Sequence, residues 1–175
     1  MCEAGCSTGV TDHQLLVLAY GNPLRSDDGA GLALASELPT FLRAAGHSVR
    51  LLCVQQLMPE LALAIAEPDV VAVLFVDTRM MTATEPQDPQ IQIQSIDAAQ
   101  LTASVTHHLG PQLLLLYASK LYHHAPPSWL VTIPGSDFGH GTTLSPQVQR
   151  LLAKTETVAQ QLLTQICTTV PSLTL

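Results

Sequence analysis

A chain of 175 residues that is 47% hydrophobic is long enough for one substantial core and short for two domains. Its net charge of −7, with seven scattered Lys and Arg, offers no basic stripe to neutralise phosphates and argues against a nucleic-acid role. No apolar run approaches the roughly 20 residues needed to cross a bilayer, and the N-terminal MCEAGCSTGVTDHQ lacks a basic and apolar leader pattern, so a cytoplasmic protein with no membrane span is expected.

In chain order, LLVLAY (15–20) is a continuous apolar run, as suits a strand buried on both faces. After the turn GNPLRSDDGAG (21–31), AGLALASEL reads as a helix that either ends at Pro39 or kinks there and continues to Leu42. The run 49–54 is a second strand, QLMPELALAIAEP a short helix, and VVAVLFVDT the clearest buried strand. TATEPQDPQ (82–90) is a polar surface loop, and IQIQSI alternates like a strand at a sheet edge. Pro111 opens a helix through QLLLLYASKLY, SWLVTIP is the last strand, and Ser145–Pro146 begin a helix whose apolar spacing runs from Val148 to Ile166. This alternation specifies a three-layer α/β single domain, a mostly parallel twisted sheet sandwiched between helices, over 14–168. A flexible N-terminal segment (1–13) and a C-terminal tail (169–175) flank it.

In such sheets ligands collect beyond the carboxyl ends of the strands. Asn22, Asp27 and Asp28 follow the first strand, Asp77 follows VVAVLFV, and 135–140 follow SWLVTIP; Thr106, His107 and His108 precede a helix. The glycine-rich turn matches neither a dinucleotide fingerprint nor a P-loop, and its two acids would repel a phosphate. One Asp suffices to cap a helix, so the second requires another partner, and a cation is the obvious one. Asp77 has an ordinary alternative as a cap or as the partner of Arg79 or Arg25, and His107 and His108 as exposed residues ahead of a helix. Carboxylates with one imidazole nonetheless form a reasonable ligand set for a borderline divalent metal such as nickel or zinc. Nucleophile chemistry has little support: no Gly-x-Ser-x-Gly elbow or HExxH occurs, and Cys53 and Cys167 lie within apolar stretches that favour an inert thiol.

Taken together, GNPLRSDDGAG after a strand, the Asp of VLFVDT, the His of THHLGP and IPGSDFGHGTTLSP resemble the nickel-iron hydrogenase maturation proteases, in order and spacing, over about 15–166. The resemblance implies an endopeptidase that removes the C-terminal extension of a hydrogenase large-subunit precursor after nickel insertion. It also implies metal contacts at Asp28, Asp77 and His107, with His107 chosen over His108 by the phase of His107-His108-Leu109-Gly110. Asp28 or Asp77 would activate water, while nickel would arrive on the precursor; another divalent metal is the alternative occupant of the same site. Asn22, Gln55, Gln56, His108, Asp137 and His140 are candidate substrate contacts. Ala19 stands where the family commonly has Gly, Cys53-Val54 where some members have Asp-Gly, and Gly135 where some have an acid. A non-cleaving nickel-site recognition or carrier module and a metal-dependent small-amide hydrolase are the competing readings, and the edge strand permits a monomer or a dimer.

Overall fold

The structure, a computed structural model, describes residues 13–82, 86, 88–98 and 109–171. The expected N-terminal segment and tail therefore fall mostly outside the described residues, as does part of the expected loop 82–90. The elements are β1 (Gln14–Tyr20), α1 (Ala30–Ala44), β2 (Ser48–Val54), α2 (Leu61–Ile65), β3 (Val70–Met80), β4 (Gln92–Ile96), α3 (Pro111–Tyr122), β5 (Ser128–Gly135), α4 (Pro146–Leu152) and α5 (Thr155–Thr169).

The strands form a five-stranded sheet in the order β2-β1-β3-β5-β4, parallel throughout except for β4, which runs antiparallel to β5 at the edge. Side chains alternate along the two central strands and so feed two cores. Leu15, Val17 and Ala19 with Ala72, Leu74 and Val76 pack against α1, α4 and α5. Leu16 and Leu18 with Val73 and Phe75 pack against α2 and α3. The layering is thus three-deep, and the uninterrupted apolar runs are the strands covered on both faces.

One boundary is decided and one differs from the periodic reading. α1 takes the longer of its two expected courses, continuing through the buried Pro39 to Ala44. The apolar spacing of 148–166 divides into two helices, because the chain turns at Ala153–Lys154 and buries Thr155. The Thr155 hydroxyl donates to Glu37 of α1 at 2.8 Å, which fixes α5 against α1.

This topology defines where a site belongs. From β1 the chain crosses through α1 to β2 on one side; β5 lies on the other side of β3 and is reached through α3 on the opposite face. The carboxyl ends of β1 and β3 therefore flank the crevice at which the winding reverses. α3 is oriented by its far end, where His124 Nε2 lies 3.0 Å from the Val70 carbonyl at the start of β3. Twelve helical residues rising about 1.5 Å each then carry the helix start at Pro111 toward the carboxyl ends of the strands.

α1 approaches β3 without a side chain between them. A Cβ on Gly31 would stand 2.9 Å from the Asp77 carbonyl carbon and 3.0 Å from its Cα. Gly31→Ala is expected to push α1 off β3 and destabilise the protein by about 1–3 kcal/mol in urea unfolding; an unchanged midpoint would contradict this packing.

Candidate active site at the carboxyl ends of β1 and β3

The turn after β1 is built around glycine. Gly21 has φ +146, and a Cβ there would lie 2.3 Å from the Asp28 carbonyl oxygen, so no other residue fits without moving the backbone. The chain folds back through Leu24 N–H to Asn22 Oδ1 (3.0 Å) and Asp28 N–H to the Arg25 carbonyl (3.0 Å). Ser26, left-handed at φ 47, is anchored by its N–H to the Gly141 carbonyl at 2.8 Å. A short 3-10 turn, Ser26–Gly29, then leads into α1.

This turn separates the adjacent acids. Asp27 is fully buried and accepts backbone N–H bonds from Ser136 (2.9 Å), Asp137 (3.0 Å) and Ser145 (2.7 Å). Burial alone would raise its carboxyl pKa; the donors from Ser145, Ser136 and Asp137 outweigh burial and hold it below the ordinary carboxylate range. Neither acid caps α1, whose N-cap position is Gly29. Asp27 instead ties the glycine-rich turn to the loop after β5. Asp28 is half-buried on the other side, its Oδ2 accepting the Asn22 N–H at 3.1 Å.

Asp77 stands beside Asp28. Its Oδ1 accepts the Thr78 N–H at 2.7 Å, and the Tyr20 hydroxyl lies within reach of the same carboxylate. Arg25 reaches the Phe138 carbonyl at 3.4 Å. Burial pushes the Asp77 carboxyl up to about 6; the Tyr20 and Thr78 hydrogen bonds oppose that rise and the Asp28 charge adds to it. The Tyr20 hydroxyl is in turn raised above its ordinary value by burial and by the Asp77 charge. Thr78 links the parts, its Oγ1 accepting the Gly31 N–H at 2.8 Å and donating to the Asp28 carbonyl at 3.3 Å.

The structure therefore brings Asp28 and Asp77 together at the switch point. Gln55 and Gln56 are exposed just past β2, where Val54 pairs with Tyr20, and so share this rim. The Asn22 side chain is engaged in its own turn. Asp137 and His140 are exposed in the loop held by Asp27, and Asp137 Oδ1 accepts the Gly139 N–H at 2.9 Å. Thr106, His107 and His108 lie outside the described residues, and among the described residues no three metal-capable side chains gather. Cys53, expected among apolar neighbours, is exposed on β2. Tyr20 and Thr78 are contributions that sequence reading missed; each is a hydroxyl at the end of an apolar run, two or fewer residues from a glycine or an acid.

No family model and no curated protein matches the sequence. Solved structures do match. HybD, a NiFe hydrogenase maturation protease from Thermococcus kodakarensis, is 20% identical with a TM-score of 0.56, covering 85% of this chain and 98% of its own. HycI from Thermococcus kodakarensis KOD1 is 18% identical with a TM-score of 0.59, covering 86% and 90%. The hydrogenase maturating endopeptidase HybD from E. coli is 17% identical with a TM-score of 0.57, covering 87% and 91%. The fold is that of the nickel-iron hydrogenase maturation proteases. Within this maturation-protease fold, Asp28 and Asp77 occupy the crevice that the winding of the sheet creates.

The two acids differ in their linkage to pH. Asp27 has a lowered folded pKa, so its stabilisation is present above the unfolded carboxyl value and is lost as pH falls through the folded one. Asp27→Asn, which sets an amide against N–H donors, should destabilise by about 2–4 kcal/mol at pH 7 and by less near pH 3, read from urea midpoints. Asp77 has the opposite sign: between about pH 4 and 6 the folded state retains a proton that the unfolded chain has released, so stability falls as pH rises through that window. Asp77→Asn should therefore be more stable than the parent by about 1–2 kcal/mol at pH 8, allowing for its partial exposure, with the gain shrinking toward pH 4. A gain that grows on acidification would refute the assignment.

Proposed function

We propose that the chain is an endopeptidase that removes the C-terminal extension of a nickel-iron hydrogenase large-subunit precursor once nickel is in place. The observation that carries this reading is the meeting of Asp28, in the turn after β1, and Asp77, on β3, two half-buried carboxylates at the switch point of a maturation-protease fold. Nickel belongs to the substrate in this reading, held by the precursor and presented to the rim. Asp28 and Asp77 contact it through oxygen, and His107 completes the set with an imidazole. The direction of α3 supports including His107, since Pro111 opens that helix toward the carboxyl ends of the strands and follows His107 by four residues.

Asp77 is the better candidate to take the proton of the attacking water, because a base with a pKa near 6 is ionised at neutral pH and still basic enough to assist. Asp28, bonded through one oxygen to the Asn22 N–H, is the better metal contact. Gln55, Gln56, His108, Asp137 and His140 are assigned to the precursor chain on either side.

The test is incubation with candidate precursors, with and without nickel, read by mass. The parent protein should shorten the nickel-loaded form only, and kcat/KM should fall as pH drops below about 6. Asp28→Ala, Asp77→Ala and His107→Ala should each reduce processing by about 100-fold or more. Full activity in all three variants would overturn the site, and stable capture of the precursor without cleavage would favour the recognition-module reading.

A further inference from the structure

Tyr20 lies directly against the acid that the proposed reaction uses. Ala19 of β1 pairs in register with Val76 of β3, so one step on Tyr20 and Asp77 stand side by side on the face that packs toward α2 and α3. Both are half-buried, and the Tyr20 hydroxyl lies within reach of the Asp77 carboxylate. Asp77 has a second fixed donor in the Thr78 N–H, 2.7 Å from Oδ1. An ionised carboxylate has about four acceptor positions, so the Thr78 N–H and the Tyr20 hydroxyl leave others open to a further partner.

We propose that Tyr20 is a positioning residue for Asp77, and that its hydroxyl and the Thr78 N–H together fix the plane of the Asp77 carboxylate so that its open lone pairs point at the substrate. The backbone donor alone leaves the carboxylate free to turn about its terminal torsion, which is broad. The hydroxyl removes that freedom before substrate arrives. Tyr20 touches neither the metal nor the scissile bond, so it acts entirely through Asp77. In the sequence this position, between Ala19 and Gly21, reads only as the last residue of an apolar strand.

The inference rests on the endopeptidase reading for its kinetic arm, and a second arm stands apart from it. Tyr20→Phe keeps the ring and removes only the hydroxyl; Tyr20→Met is a second hydroxyl-free variant should the first fold poorly. With nickel-loaded precursor, kcat should fall by about tenfold or more while KM stays unchanged, as expected for losing a hydrogen bond to a charged group. A crystal structure of the variant should show the Asp77 carboxylate rotated or spread over two orientations. An unchanged kcat, or a raised KM alone, overturns the inference. So does an Asp77 carboxylate that keeps its parental orientation. If the parent protein leaves every precursor intact, the endopeptidase reading fails by itself and the crystallographic arm decides: displacement of Asp77 upholds the positioning role, and no displacement ends it.

Discussion

The site depends on a buried carboxylate that takes no part in it. Asp27 is fully buried and its charge survives there because backbone N–H groups of Ser136, Asp137 and Ser145 converge on it. These donors come from the loop after β5, more than a hundred positions away in the chain. The bond set therefore closes the fold at its carboxyl rim and fixes the turn after β1. Two neighbouring features accommodate it. A Cβ on Gly135 would stand 2.8 Å from the Asp27 Cβ, so the last residue of β5 must be small. The Asp27 N–H itself donates to the Asp137 carbonyl at 2.9 Å, which locks the loop in both directions.

With Asp27 turned inward, the chain has little choice about Asp28. The short 3-10 turn sends successive side chains to different sides, and Asp28 emerges at the crevice beside Asp77. Thr78 sets the height of this arrangement by bonding both the first turn of α1 and the Asp28 carbonyl. The rim is thus assembled from β1, the turn, α1 and β3 by hydrogen bonds, over strands whose middles are fully buried.

Much of this was legible in the sequence, for identifiable reasons. Strands covered on both faces advertise themselves as unbroken apolar runs, so β1 and β3, and with them the layering, could be read directly. An acid immediately after such a run stands out because ionised groups are expensive next to a core, which singled out Asp77; the choice of Asp28 came from the resemblance of GNPLRSDDGAG to the maturation-protease motif. The surplus acid in GNPLRSDDGAG pointed to divided roles. That Asp27 bonds the loop after β5 rather than capping α1 depends on long-range contacts that no local pattern encodes. The α4–α5 turn was hidden because apolar spacing continues across it. Tyr20 and Thr78 were hidden because both suit a strand by propensity, and only the pairing of β1 with β3 brings their hydroxyls to the acids.

The electrostatics of the rim bear on why a cation suits it. Two neighbouring carboxylates repel, and burial adds to the penalty, so Asp77 keeps its proton to about pH 6 when alone with Asp28. A divalent cation between them reverses the sign of the local field and favours full ionisation of both. In the endopeptidase reading such an ion comes with the precursor, and Asp28 and Asp77 would meet it beside His107. The acids would then be satisfied together when the precursor presents its metal, which ties their full ionisation to the loaded substrate.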